Sequence, residues 1–142
     1  MALLGAITHQ ALAVCVPSRA GQNSFVASLR RVRPAGYTSA IIVLYLLTVV
    51  MGLIIYPNYR IGSHDLIVAL RRGQLMVGIF DIKEQFVAIG LGILPGYWYY
   101  WRKVAPSEAV VPRRALTLVL TVIVWWAFLV GHVVNNLAGV GV

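Results

Sequence analysis

The chain has 142 residues, of which 60% are hydrophobic and only 11% are charged. A soluble domain of this size needs a polar surface that this composition cannot supply, so the sequence predicts an integral membrane protein. The formal net charge is +8. Because the arginines lie in short segments between apolar runs, they indicate membrane orientation and contact with anionic headgroups, and they argue against a nucleic-acid partner.

The first apolar segment, residues 2–16, is short for a membrane crossing and is interrupted by Thr8-His9-Gln10. A hydrocarbon core of roughly 30 Å takes about 20 helical residues, so this span has little room to tilt. It contains Cys15, the single cysteine of the chain, which excludes an internal disulfide and a cysteine-based metal cage. We expect Cys15 to be a small buried side chain.

The second span, residues 37–56, carries no charge, is bounded by tyrosines and is followed by Pro57. In the connector after it, Ser63 is a candidate helix cap and Asp65 favours the positive end of the helix dipole. This pattern predicts a short helix in the headgroup region between spans two and three.

The third span covers residues 75–101, and Pro95-Gly96 predicts a kink in it. Its last residues, 97–101, are Tyr-Trp-Tyr-Tyr-Trp before two basic residues, a pattern typical of an aromatic interface belt with a basic anchor. After a loop at 102–114, the fourth span covers residues 115–139. The predicted fold is thus a single all-α transmembrane domain, a four-span helical bundle over residues 1–142.

The charge distribution predicts the topology of this bundle. The connectors 18–36 and 102–114 both have an excess of positive charge, and with four spans they lie on the same side. The positive-inside rule makes that side cytoplasmic, so both termini are predicted outside. We expect the location to be the inner membrane of a bacterium.

Three charged residues, Asp81, Lys83 and Glu84, interrupt the first part of the third span. Ionisable groups at membrane depth are costly and are functional candidates, so these residues are candidates for a proton or cation relay or for catalysis. The alternative is an interfacial cluster in which Lys83 reaches the headgroups and the acids pair with nearby arginines. Both interpretations remain open from the sequence.

His9 and His132 come from different spans and are candidate metal ligands, for instance to a haem iron between helices. Asn135 follows His132 at i+3 and so lies on the same helix face. Trp126, in the middle of the fourth span, is a candidate wall of a cofactor pocket. The simpler alternative is that each of these side chains bonds to or packs on a facing helix.

The layout resembles the copper-resistance-D-like and protoporphyrinogen-oxidase-J-like small four-helix membrane proteins. The shared features are His9 in a short first helix, the basic connector Leu29-Arg-Arg-Val-Arg33, a second helix ending in Gly52-Leu-Ile-Ile-Tyr56, and Lys83 near the start of the third. The resemblance implies haem b held by His9 and a lysine required for activity. The Asp-Ile-Lys-Glu segment is additional to that pattern.

Three functions are compatible with these features. The first is a haem-associated redox protein with a polar site in the outer half of the bundle. The second is a non-enzymatic accessory or assembly subunit, which would dock other membrane subunits or a second copy of the chain. The third is a proton- or cation-coupled transporter. The sequence leaves open whether the protein is an enzyme.

Overall fold

The computed structural model describes residues 1–15, 33–58 and 73–139, and within these ranges the secondary structure is helical, with no strand. Four α-helices are present, and a 3₁₀ turn at Pro34–Tyr37 leads into the second. The helices are α1, Ala2–Cys15; α2, Thr38–Asn58; α3, Gly73–Arg102; and α4, Val110–Gly139. The predicted all-α class is confirmed. The predicted interfacial helix after Ser63 and residues 18–32 of the predicted connector 18–36 lie outside the described residues.

The helix boundaries match the predicted spans except at the start of α4. We expected that helix to begin at residue 115, but it begins at Val110. Pro112 suggested a loop, yet it lies in the first turn of the helix, where the backbone N–H that proline lacks would have no intrahelical partner. Pro95 likewise lies inside α3, which continues to Arg102.

α4 packs against both α1 and α3, and α2 also contacts both α3 and α1. The core between them contains large apolar side chains from all four helices. Its buried members include Ile7, Ile41, Leu94, Leu120 and Ile123, with Tyr45, Tyr97 and Trp101.

Among the described residues, two segments are long and apolar enough to cross a membrane: Pro34–Ile55, of 22 residues, and Val110–Val133, of 24 residues. α1 is apolar but has only 14 residues, which corresponds to about 21 Å of helix. α3 is 30 residues long, and its first half contains the charged segment Asp81–Glu84.

Gly90 lets α2 approach α3 closely. A methyl group at this position would overlap the hydroxyl of Tyr45 and would lie 3.3 Å from Cγ2 of Ile123. The Tyr45 hydroxyl instead passes the glycine and donates a 2.9 Å hydrogen bond to the carbonyl oxygen of Val87. By contrast, Gly52 and Gly92 have no atom of the described residues within 4 Å of their methyl positions.

Candidate functional site

A buried polar cluster joins three helices and centres on Gln10. The hydroxyl of Tyr97 donates a hydrogen bond to Oε1 of Gln10. Nε2 of Gln10 donates to the carbonyl oxygen of Pro34 at 3.0 Å and to Oγ1 of Thr38 at 3.3 Å. Gln10, Thr38 and Tyr97 are each fully inaccessible to solvent. Both ends of the Gln10 amide are therefore satisfied by the protein.

The three elements meet here because of where each helix begins or ends. Thr38 is the first residue of α2, Tyr97 lies in the last two turns of α3, and Gln10 lies in the second half of α1. Pro34 begins the 3₁₀ turn that leads into α2, and its carbonyl oxygen accepts the hydrogen bond from Gln10. The cluster therefore lies at the end of the bundle nearest the α3–α4 loop.

Next to this cluster, Nδ1 of His9 forms a hydrogen bond with the hydroxyl of Tyr37, and the two rings meet edge to face with centroids 5.5 Å apart. Within the described residues, the other ring nitrogen, Nε2, forms no hydrogen bond. An imidazole whose Nδ1 is held in this way has a fixed orientation, as metal-binding histidines usually have. His9 is thus oriented by the fold, through a residue that the sequence did not single out.

The predicted aromatic belt at residues 97–101 does not form one exposed surface. Tyr97 and Trp101 are buried, with 0% and 6% exposure, whereas Trp98 and Tyr99 are exposed. Positions 97 and 101 share one helix face by their i, i+4 spacing, and that face points into the bundle. There Nε1 of Trp101 donates a 3.2 Å hydrogen bond to Oγ1 of Thr117 on α4.

Arg113 closes the end of the α3–α4 hairpin. Its Nε donates to the carbonyl oxygen of Tyr100 at 2.8 Å, and a terminal nitrogen donates to that of Val104 at 2.7 Å. The guanidinium also lies 5.1 Å above the ring of Trp101. A cation bound to the free carbonyls at the end of a helix is favourable for both hydrogen bonding and the helix dipole. Arg113 is therefore a structural residue.

The predicted catalytic residues Asp81, Lys83 and Glu84 lie in the first half of α3, far along that helix from Tyr97. Asp81 is exposed, and Lys83 and Glu84 are half-buried. Nζ of Lys83 lies 3.6 Å above the ring of Phe80, one turn earlier on the same helix. Within the described part of the chain, the structure does not bring these residues into contact with either predicted histidine ligand.

His132 and Trp126 face outward from α4. The ring of His132, which is exposed, stacks on that of Phe128 at 5.9 Å between centroids. Trp126 is 38% exposed and contacts Phe86 of α3. Asn135 lies within α4, and its side chain is outside the described part of the structure.

His9 and His132 are separated along the bundle. Thr8 accepts a 2.9 Å hydrogen bond from Nε1 of Trp125, which aligns the neighbouring residues of α1 with that level of α4. His132 follows Trp125 by seven positions, about 10 Å along the helix axis. The described residues include no group of three or more His, Cys, Asp or Glu side chains that could hold a metal ion. Ligation of one haem by both histidines therefore has no geometric support here.

An apolar groove of about 250 Å³ lies on the surface between α3 and α4. All of its lining side chains are apolar, and none of them belongs to a predicted site residue. It is formed by Phe86, Ile89, Leu118, Val119, Val122 and Ile123.

Comparison with known proteins found no family model, no curated protein and no solved structure that matches this chain. The layout-level resemblance to small haem-associated four-helix proteins therefore stays a prediction.

Proposed function

We propose that the chain is a four-span integral membrane protein with a non-enzymatic role, as an accessory or assembly subunit of a membrane complex. The observation that carries this proposal is the combination of an internally satisfied polar cluster with an extensive apolar exterior. The amide of Gln10 has its partners within the bundle. A structural role in fixing helix packing therefore explains this network better than a substrate-binding site does.

The exterior of α2 supports a membrane location. Its outward side chains are large, apolar and between 42% and 67% exposed, which is favourable in lipid and unfavourable in water. These side chains are Val43, Leu46, Leu47, Val50, Met51, Leu53, Ile54 and Ile55.

Helix lengths support a common bilayer position for α2, α3 and α4. A hydrocarbon core of roughly 30 Å corresponds to about 20 residues. About 20 residues before Arg102, α3 contains the segment from Asp81 to Glu84. About 20 residues after Arg114, α4 has reached the turn that follows His132. Charged and polar side chains therefore fall at both boundaries, which favours the interfacial interpretation of the charged segment over a buried relay.

α1 is too short to cross such a core without help. Its helical length of about 21 Å is some two thirds of the hydrocarbon thickness. Local thinning of the bilayer at a modest energetic cost accommodates helices of this kind. The hydrogen bonds of Gln10 and Thr8 to the other helices hold α1 in the bundle.

Cysteine accessibility tests this topology directly, because Cys15 is the single cysteine to remove. In a Cys15→Ser background expressed in a bacterial host, we expect an impermeant maleimide to label Ala2→Cys on intact spheroplasts. Ser107→Cys, in the α3–α4 loop, should react only after permeabilisation, and Leu47→Cys, on the lipid-facing side of α2, should stay unlabelled. Labelling of Ala2→Cys and Ser107→Cys from the same side would rule out three crossings between them.

A single-histidine haem site is the second candidate, favoured by the contact between His9 and Tyr37. If Nδ1 carries the proton and donates to the Tyr37 oxygen, Nε2 of His9 is free to bind iron. Loss of such an orienting partner typically weakens metal affinity 10- to 100-fold. Purified protein with a Soret band that is lost in His9→Ala and weakened in Tyr37→Phe would favour this function. A colourless protein from haem-replete cells would favour the accessory role.

A further inference from the structure

The apolar groove between α3 and α4 ends near an exposed arginine. Arg114 is exposed and lies four positions before Leu118, a lining residue of the groove. This spacing places the two side chains on the same face of α4, about 6 Å apart along its axis. A cation therefore lies one helical turn beyond Leu118, at the end of the groove nearest the α3–α4 loop.

The surroundings of that end are strongly basic. Arg102, Lys103, Arg113 and Arg114 are accompanied by one acid, Glu108, over residues 102–114. Arg113 is engaged with backbone carbonyls and the Trp101 ring, whereas Arg114 is exposed at the surface. Arg114 is thus the residue at the groove whose guanidinium is presented outward.

We propose that this groove and Arg114 form a binding site for an anionic phospholipid of the cytoplasmic leaflet. The acyl chain lies along the groove, and the phosphate diester accepts hydrogen bonds from the Arg114 guanidinium. Arginine binds phosphate through two parallel N–H donors, so it provides direction as well as charge. The site rests on the proposed membrane location, because it requires Arg114 at the headgroup level and Leu118 within the hydrocarbon.

Charge complementarity distinguishes a phospholipid from other occupants of the groove. An apolar helix of a partner would use the lining but would not need the cation one turn beyond it. An anionic lipid has the matching order of groups, an acyl chain followed by a phosphate. A basic residue near the membrane surface adds about 1 kcal/mol to the attraction of anionic lipid, which is about fivefold in affinity.

The test is retention of dioleoyl phosphatidylglycerol by the full-length protein in detergent micelles, measured by native mass spectrometry against dioleoyl phosphatidylcholine. We expect the wild type to retain the anionic lipid preferentially. Arg114→Gln should weaken that retention about fivefold and leave phosphatidylcholine binding unchanged. Excess inorganic phosphate should not displace the lipid, since it cannot occupy the groove; displacement would identify a free-phosphate site and overturn the proposal.

Arg102→Gln is the matched control. It removes the same charge from the same end of the hairpin, but Arg102 lies on the opposite side of α3 from Phe86, by the 100° rotation per residue of an α-helix. We expect its effect to stay under about twofold, because the exposed charge is screened from the site. Equal losses in Arg114→Gln and Arg102→Gln, or no preference in the wild type, would overturn the proposal.

Leu118→Trp tests the acyl-chain part of the site by filling the groove. It should reduce retention of phosphatidylglycerol, and its melting temperature in phosphatidylcholine shows whether the bundle still folds. If the Leu118→Trp variant does not fold, Val119→Trp is used in its place. Full retention in either folded variant overturns the proposal. A wild-type protein that resists alkaline carbonate extraction but shows no preference for phosphatidylglycerol rejects this site alone, whereas release of the wild type by carbonate rejects the proposed membrane location.

Discussion

The hydroxyl of Tyr97, near the end of α3, donates a hydrogen bond to the side-chain oxygen of Gln10 in α1, 87 positions away in the sequence. Both side chains are fully buried. In a bilayer the apolar surfaces of helices have little preference for one another over lipid, so packing and interhelical hydrogen bonds decide which helices associate. This bond therefore fixes the position of a helix that is too short to be held by its own length.

Tyr97→Phe should destabilise the bundle by about 1–2 kcal/mol, because it leaves the buried Oε1 of Gln10 without its donor. Chemical unfolding in mixed detergent micelles measures this change. The double variant with Gln10→Met should cost less than the sum of the two single changes, since each single change leaves one polar partner unsatisfied.

Tyr99→Phe is the control for this cycle. It removes the same hydroxyl from the same helix, but the side chain of Tyr99 is 52% exposed. We expect no measurable loss of stability. Additive effects of Tyr97→Phe and Gln10→Met would show that the two side chains do not act as a pair.

Gly90→Ala should separate α2 from α3 or displace Tyr45. The added methyl group would overlap the Tyr45 hydroxyl and would lie 2.8 Å from its Cζ atom. Because Tyr45 is held by its bond to Val87, we expect a loss of about 1–3 kcal/mol, as for overpacking of a core. Unfolding in detergent again provides the measurement.

Gly92→Ala is the natural comparison for Gly90→Ala, since no atom lies within 4 Å of its methyl position. It should be neutral or slightly stabilising, because alanine favours a helix over glycine. Replacing Tyr45 by a smaller side chain in the Gly90→Ala background should restore part of the stability. An equal loss in Gly92→Ala would show that the cost of Gly90→Ala does not come from the contact with Tyr45.

Arg113→Lys should lower thermal stability although the positive charge is kept. A lysine ammonium lacks the planar, forked guanidinium of arginine. In Arg113 this group donates to the carbonyl oxygens of Tyr100 and Val104 and at the same time lies above the ring of Trp101. Hydrogen bonds from charged groups are worth about 1.5–3 kcal/mol, so the expected cost is of this order. The neighbouring Arg114→Lys should have no such effect; equal melting temperatures for the two variants would contradict the capping role.

The sequence predicts where the helices lie but not which side chains are buried between them. Hydropathy located all four helices to within a few residues, because apolar runs of this length have few other structures available. The start of α4 was placed five residues late, since proline is read as a helix breaker although it is tolerated in the first turn. Which side chains are buried depends on which face of each helix contacts its neighbours. Hydropathy does not predict that face for α2, because apolar residues surround this helix almost evenly.

The polar cluster was missed for a related reason. Ionisable residues such as Asp81 and His132 are conspicuous in an apolar sequence, whereas the buried network is made by the uncharged side chains of Gln10, Thr38 and Tyr97. Their partnership spans three elements and follows from no local spacing. One signal was present: Gln10 interrupts an apolar helix, and a polar residue in such a position needs a partner.

The double variant Asp81→Asn with Glu84→Gln separates an interfacial anchor from a proton or cation pathway. In the proposed bilayer position these residues lie at the boundary of the hydrocarbon, and Asp81 is exposed. We therefore expect unchanged folding and no change in proton or cation flux into proteoliposomes, measured with an entrapped pH dye and with an ion electrode. Lys83→Gln is the companion variant, because it removes the charge above Phe80. A flux present in the wild type and abolished in the double variant would establish transport instead.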